Sequence, residues 1–192
     1  MASKGVLPLS GAEALAMEYK INQDYKDDDA RVDSLIKWET AKNFTTGFMT
    51  GLGGMLTLPV SIPGGMGASY LIQARMIAAI ASIYGHDISD AKVRTLILVS
   101  MLGDAGKEIL KEAGVKAGSR LAEKIAGKIS SAALLEINRK VGFRLLATGG
   151  AKGVVNLTKL APLVGGPIGG TIDALACRTA GRAAKAVFKR RP

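Results

Sequence analysis

From Asn43 to Ala74, 32 consecutive residues carry no formal charge, bounded by Lys42 and Arg75. Such a run is long enough to cross a bilayer as one helix. Pro59 and Pro63 sit in its middle among Gly51, Gly53, Gly54, Gly64, Gly65 and Gly67, and there a continuous helix would lose backbone hydrogen bonds and order. The run therefore reads as a broken helical hairpin with a hinge at Pro59, Pro63, Gly64 and Gly65. Its arms cover about Phe44 to Leu58 and Gly67 to Tyr84. Each arm is shorter than the roughly 20 residues a spanning helix needs, so two buried core helices and a re-entrant or conditionally inserting hairpin both fit the pattern. In the second case Phe44, Phe48, Leu52, Leu56, Ile62 and Tyr70 are the candidate lipid contacts.

Elsewhere apolar residues recur at spacings of three and four, and no segment alternates as a strand would. The expected fold is an all-α, compact multi-helix domain. A first helix over Gly11 to Gln23 and the acidic turn Asp24-Tyr25-Lys26-Asp27-Asp28-Asp29 make up an N-terminal portion, residues 1–31. A helical domain with a basic C-terminal helix follows over residues 32–192, the two forming one domain overall. After the turn, Val32 to Lys42 predicts a second helix. Gly85 suits the end of the helix from Gly67. Asp90 is placed to cap the next one through Met101, whose centre, Leu96-Ile97-Leu98-Val99, is apolar all round, as in a helix buried in a domain centre or against lipid.

From Asp104 to Ile129 the pattern is amphipathic. Ile109, Ala113, Ala117, Leu121, Ile125 and Ile129 form a stripe, and Asp104, Glu108, Glu112, Lys116, Arg120, Lys124 and Lys128 run beside it, acids first and bases last as the helix dipole favours. The four cations fit either a solvated face or an anionic membrane surface. Gly114 and Gly118 weaken the helix and predict a kink or a close neighbour. A further helix over Leu134 to Leu146 ends in Gly149-Gly150 and carries Arg139, Lys140 and Arg144 on its polar side. In the block from Leu160 to Gly170, Gly165 with Gly169 and Gly166 with Gly170 have the spacing that lets backbones approach. The tail from Arg178 interleaves Arg182, Lys185 and Lys189 with Ala183, Ala184 and Phe188, a basic amphipathic end suited to anionic headgroups or RNA.

Charge follows the same division. Residues 1–42 hold 6 basic and 8 acidic side chains, whereas residues 107–192 hold 17 and 5. The basic half favours anionic partners. One cysteine, Cys177, and one histidine, His86, exclude an internal disulfide and a multi-histidine metal site. No G-x-S-x-G elbow or H-E-x-x-H pair occurs, and Gly51-Leu52-Gly53-Gly54 lacks the lysine and hydroxyl of a phosphate loop. No catalytic residue, metal ligand or cofactor site is expected. With nine aromatic residues and no reading motif, sequence-specific nucleic-acid recognition is not expected either. The N-terminus lacks an apolar core followed by a small-residue cleavage site, which predicts a cytoplasmic protein, peripheral at the inner face of the membrane.

Several segments are familiar together. Leu35-Ile36-Lys37-Trp38, Thr40-Ala41-Lys42-Asn43, Gly51-Leu52-Gly53-Gly54 and Leu58-Pro59-Val60-Ser61-Ile62-Pro63 resemble the EcsC protein family. So do Gln73-Ala74-Arg75-Met76, Ile83-Tyr84-Gly85, Glu136-Ile137-Asn138, Gly142-Phe143-Arg144 and the glycine-rich block from Pro162 to Asp173, over roughly residues 32 to 189. The resemblance implies an α-helical bacterial protein of a family named from an operon that also encodes a transporter, with no catalytic residues to carry over. Composition and the segment pattern give the first of two expectations, and the family's operon context the second. The first is a non-enzymatic module that binds an anionic lipid or membrane surface, in a related version enclosing a bound lipid or acyl chain. The second is a soluble helical adaptor for a partner protein such as a membrane-transporter subunit.

Overall fold

The computed structural model describes residues 10–53, 68–115, 121–122, 129–154 and 162–190. Among them there are seven helices and no strand, and the protein is all-α. The first helix, α1 (Ser10–Ile21), buries Ala12, Leu15 and Ala16, the three-and-four spacing of a helix packed on one side. A tight turn follows, in which the Asp24 amide donates to Asn22 Oδ1 at 2.8 Å. Asp27 Oδ1 accepts from the Ala30 amide at 2.8 Å, opening α2 (Asp28–Gly53). Asp28 and Asp29 then place negative charge where the helix dipole favours it.

α2 runs unbroken for 26 residues, where the sequence predicts separate helices ending at Lys42 and starting at Phe44. Asn43 accounts for the difference. It is fully buried, and its amide donates to Glu39 O at 3.2 Å and Cys177 Sγ at 3.3 Å, so its side chain serves the interior rather than capping a new helix.

The centre of the molecule is α3 (Ala68–Ile83). Every side chain from Met76 to Ala81 is wholly buried, because α1, α2, α4 and α7 pack around it. The helix stops as expected. Gly85 has φ +75°, its amide donates to Ser82 O at 2.9 Å, and the His86 amide donates to Ala81 O at 3.0 Å, the paired bonds of a glycine-closed helix end. Next comes α4 (Ala91–Met101), where Asp90 Oδ1 accepts from the amides of Lys92 and Val93, as its position predicts. Leu96, Ile97 and Val99 are buried, and the centre expected of this helix is shared with α3.

α5 (Asp104–Glu112) is shorter than the expected helix to Ile129. At Gly114, φ +75° turns the chain, and the Val115 amide closes on Leu110 O at 2.8 Å. The acidic residues are thus separated from the basic ones by a helix end. α6 (Ser131–Val154) continues past Gly149-Gly150, since glycine weakens a helix without ending it. α7 (Pro162–Phe188) joins the glycine-rich block and the basic tail in one helix of 27 residues. Pro162 suits a first helical position, and Pro167, one turn later, forgoes a single backbone bond.

α2 and α7 form the largest helix pair, and they run antiparallel. Asp29 meets Lys189, Asp33 meets Lys185 at 2.6 Å, Asn43 meets Cys177, and Phe44 lies over Gly170. At Gly170 the backbones come so close that a β-carbon would lie 2.8 Å from Phe44 O, the close approach that its small-residue spacing anticipates. One end of the pair is tied to the end of α3. The Tyr84 hydroxyl donates to Asp29 at 2.6 Å, His86 Nε2 donates to Phe188 O at 2.7 Å, and Arg190 donates to Gly85 O at 2.6 Å. Burial alone would raise the Asp29 carboxyl. The hydrogen bonds from Lys189 and Tyr84 outweigh it and hold the group below the ordinary carboxylate range.

Cys177 lies in this interior, wholly buried, with its thiol 3.8 Å from Met76 Sδ. Burial pushes the thiol up to about 12. The folded protein is expected to leave a disulfide reagent such as Ellman's unconsumed at pH 8 and to consume one equivalent once denatured. Rapid reaction of the native protein would contradict this burial.

Candidate functional site: an outward apolar and basic helix face

α6 starts at a Ser130 cap, whose hydroxyl accepts from the Ala133 amide at 3.2 Å. Its inner face presents Ile137 and Val141, both wholly buried, and Asn138, which accepts from Thr95 at 2.9 Å. These contacts orient the rest of the helix. On the opposite side Leu135, Phe143 and Leu146 stand in solvent, 74%, 74% and 66% exposed. Arg139, also exposed, falls among them, because residues 135, 139, 143 and 146 share one helical stripe. Single exposed apolar side chains are ordinary on a soluble protein, whereas several on one face mark a contact surface.

Two further cations of α6, Lys140 and Arg144, are engaged sideways. Lys140 bridges Glu112 at 2.9 Å and Glu136 at 3.1 Å, and Arg144 approaches Glu108 at 3.9 Å. These pairs lie on the surface and hold α5 beside α6 at modest energetic benefit. Sequence spacing anticipated Arg139, Lys140 and Arg144 on one polar side; the structure divides them, leaving Arg139 with the apolar group. Nothing in the sequence reading selected Leu135, Phe143 or Leu146, although their stripe opposite Ile137 and Val141 was available as a signal. A second outward group occurs on α7, where Ile172 and Leu175 are exposed, with Arg178 one turn after Leu175 and Arg182 two turns after it.

Of the residues expected to touch lipid, Phe44 is exposed and Phe48 half-buried, their rings stacked at 6.1 Å. Tyr70 is half-buried against the core, and Leu52 belongs to the last turn of α2. Arg182 is exposed. Lys185 and Lys189 are bound to Asp33 and Asp29, so their charge is matched within the molecule. Leu56, Ile62, the hinge residues Pro59, Pro63, Gly64 and Gly65, and the cations Lys116, Arg120, Lys124 and Lys128 lie outside the described residues. No helix among the described residues is long and apolar enough to cross a membrane, and none of their His, Cys, Asp and Glu side chains cluster as metal ligands.

These features define a helical domain with a central helix buried over Met76 to Ala81, close glycine contacts at Gly106, Gly170 and Gly181, and an outward apolar face carrying a cation. The chain belongs to the EcsC protein family, whose model matches residues 13–192. That match begins inside α1, earlier than the motifs visible in the sequence, in keeping with the packing of Leu15 and Ala16 in the common core. Neither a curated protein nor a solved structure matches the chain.

Proposed function

We propose that this protein is a non-enzymatic helical module that binds an anionic membrane surface from the cytoplasmic side. The observation that carries the reading is the α6 face, where Leu135, Phe143 and Leu146 surround Arg139 and no described element covers them. An interfacial helix of this kind sinks its apolar side chains to the level of the headgroups while its cation meets lipid phosphate. Supporting it are the exposed Phe44 at the start of the uncharged run, Arg178 and Arg182 beside Ile172 and Leu175, and the surplus of 17 basic over 5 acidic residues after residue 106.

Flotation with vesicles of phosphatidylcholine alone, and of phosphatidylcholine with added phosphatidylglycerol, tests the reading. Binding is expected only with the anionic lipid and is expected to weaken as salt screens the charges. At about 1 kcal/mol for each inserted side chain, replacing Leu135, Phe143 and Leu146 together by Ser lowers partitioning by roughly a hundredfold. Equal binding to both vesicle types would remove the electrostatic half of the proposal. Absence of flotation throughout would leave the face to a protein partner, such as a membrane-transporter subunit.

A further inference from the structure

A cleft of about 300 Å³ opens between α1, α2 and α3, lined by Leu15, Glu18, Tyr19, Asn22, Tyr25, Trp38, Lys42 and Arg75. None of these belongs to the α6 face, so this site and the proposed membrane contact stand or fall separately. The size is at the lower end of small-molecule sites, which run from roughly 300 to 1,000 Å³, and suits a ligand of headgroup dimensions rather than a nucleotide.

The cleft is preformed. Tyr19 and Tyr25 stack at 5.9 Å, Tyr25 shares a hydrogen bond of 2.9 Å with Ser34, and Arg31 donates to Tyr19 O at 3.1 Å. Deeper in, half-buried Arg75 donates through Nε to Gly11 O at 3.1 Å. Its anchor is a neutral carbonyl, and no carboxylate among the described residues forms an ion pair with it. A guanidinium fixed in this way keeps its full charge for an oxyanion, which its planar fork recognises. Lys42, on the same lining, is bridged to Glu39 at 2.8 Å, so its charge is matched within the molecule and Arg75 carries the phosphate contact. The same lining carries the exposed carboxylate of Glu18 and the 58%-exposed indole of Trp38. A carboxylate and an aromatic face together favour an organic ammonium, and the carboxylate disfavours a polyanion.

We infer that the cleft binds a small phosphate ester bearing an alkylammonium group, with the phosphate on Arg75 and the ammonium between Glu18 and Trp38. That chemistry belongs both to a free phospho-amino-alcohol and to the headgroup of a zwitterionic lipid.

Trp38 is the sole tryptophan, so its emission reports on the cleft directly. Titration with O-phosphoethanolamine is expected to give a saturable change, with an apparent Kd at least about tenfold below that for inorganic phosphate and no response to ethanolamine alone. Arg75→Lys weakens both phosphate-bearing probes. Glu18→Gln, on the exposed side of α1, brings O-phosphoethanolamine down to the level of inorganic phosphate and leaves inorganic phosphate unchanged. Circular dichroism checks that each variant keeps its helix content. A monomeric short-chain phosphatidylethanolamine binding more tightly than the soluble ester assigns the site to lipid, and equal binding assigns it to the free ester. No saturable change with the native protein, or a Glu18→Gln variant indistinguishable from it, would overturn the inference.

Discussion

Phe188→Ala is expected to lower the stability of the protein by about 3–5 kcal/mol, the cost of deleting a fully buried aromatic side chain, and to lower Tm by roughly 10 °C. Phe188 ends α7, wholly buried, its ring 5.4 Å from that of His86 and its carbonyl accepting from His86 Nε2. Removing the ring leaves a cavity beneath the turn that closes α3 and loosens the ties made there by Asp29, Tyr84 and Lys189. A thermal melt followed by circular dichroism reads the loss. His86→Ala is expected to cost less, about 1 kcal/mol, because it removes the hydrogen bond to Phe188 O without emptying a fully buried site. A Phe188→Ala shift smaller than that of His86→Ala would show that the end of α7 is not docked as described.

The second large effect is expected at the helix crossing. In Gly170→Val the first added carbon would lie 2.8 Å from Phe44 O and 3.1 Å from the Phe44 ring. Backbone cannot swing aside as a long side chain can, so α2 and α7 must separate, at a cost of about 3 kcal/mol. Gly142→Ala is the contrasting case. It lies within α6, where an added β-carbon meets nothing within 4 Å, and replacing a helical glycine by alanine is expected to stabilise by up to about 1 kcal/mol. Opposite signs in the two melts would locate the close approach. A neutral Gly170→Val would show that the crossing tolerates a wider spacing.

What the sequence made legible was governed by neighbours in the chain. The Asp90 cap, the Gly85 stop and the approach at Gly170 each depend on a residue type at a fixed local spacing, and the structure realises all three. The continuity of α2 through Asn43 was not legible, because the group that takes up its amide is Cys177, 134 residues away. Gly114 marks a weak point in the sequence, but whether a glycine bends a helix or ends it depends on the φ it adopts. At the α6 face, the spacing of three basic residues puts them on one polar side, and the positions of Glu108 and Glu112 on α5 show that two of them turn aside. The cleft was invisible in principle. Trp38 and Arg75 lie in two separate family segments and Glu18 in neither, and three helices must pack before they meet.

The α2–α7 pair also sets an order of events. Lys189 follows Asp29 by 160 residues, and Lys185 follows Asp33 by 152. Closing a loop of that length must be paid in chain entropy before either contact returns anything, and such distant pairings slow folding relative to helices that meet their sequence neighbours. During synthesis α2 and α3 emerge long before the helix that covers them. Until α7 arrives, the side of α3 that it will cover and the inner edge of α2, including Ile36 and Met76 around the future place of Gly181, face solvent. The nascent chain is therefore most prone to aggregation in the interval before its basic C-terminal helix is made, and a chain cut short ahead of α7 should be a substrate for chaperones and proteases rather than a smaller working domain.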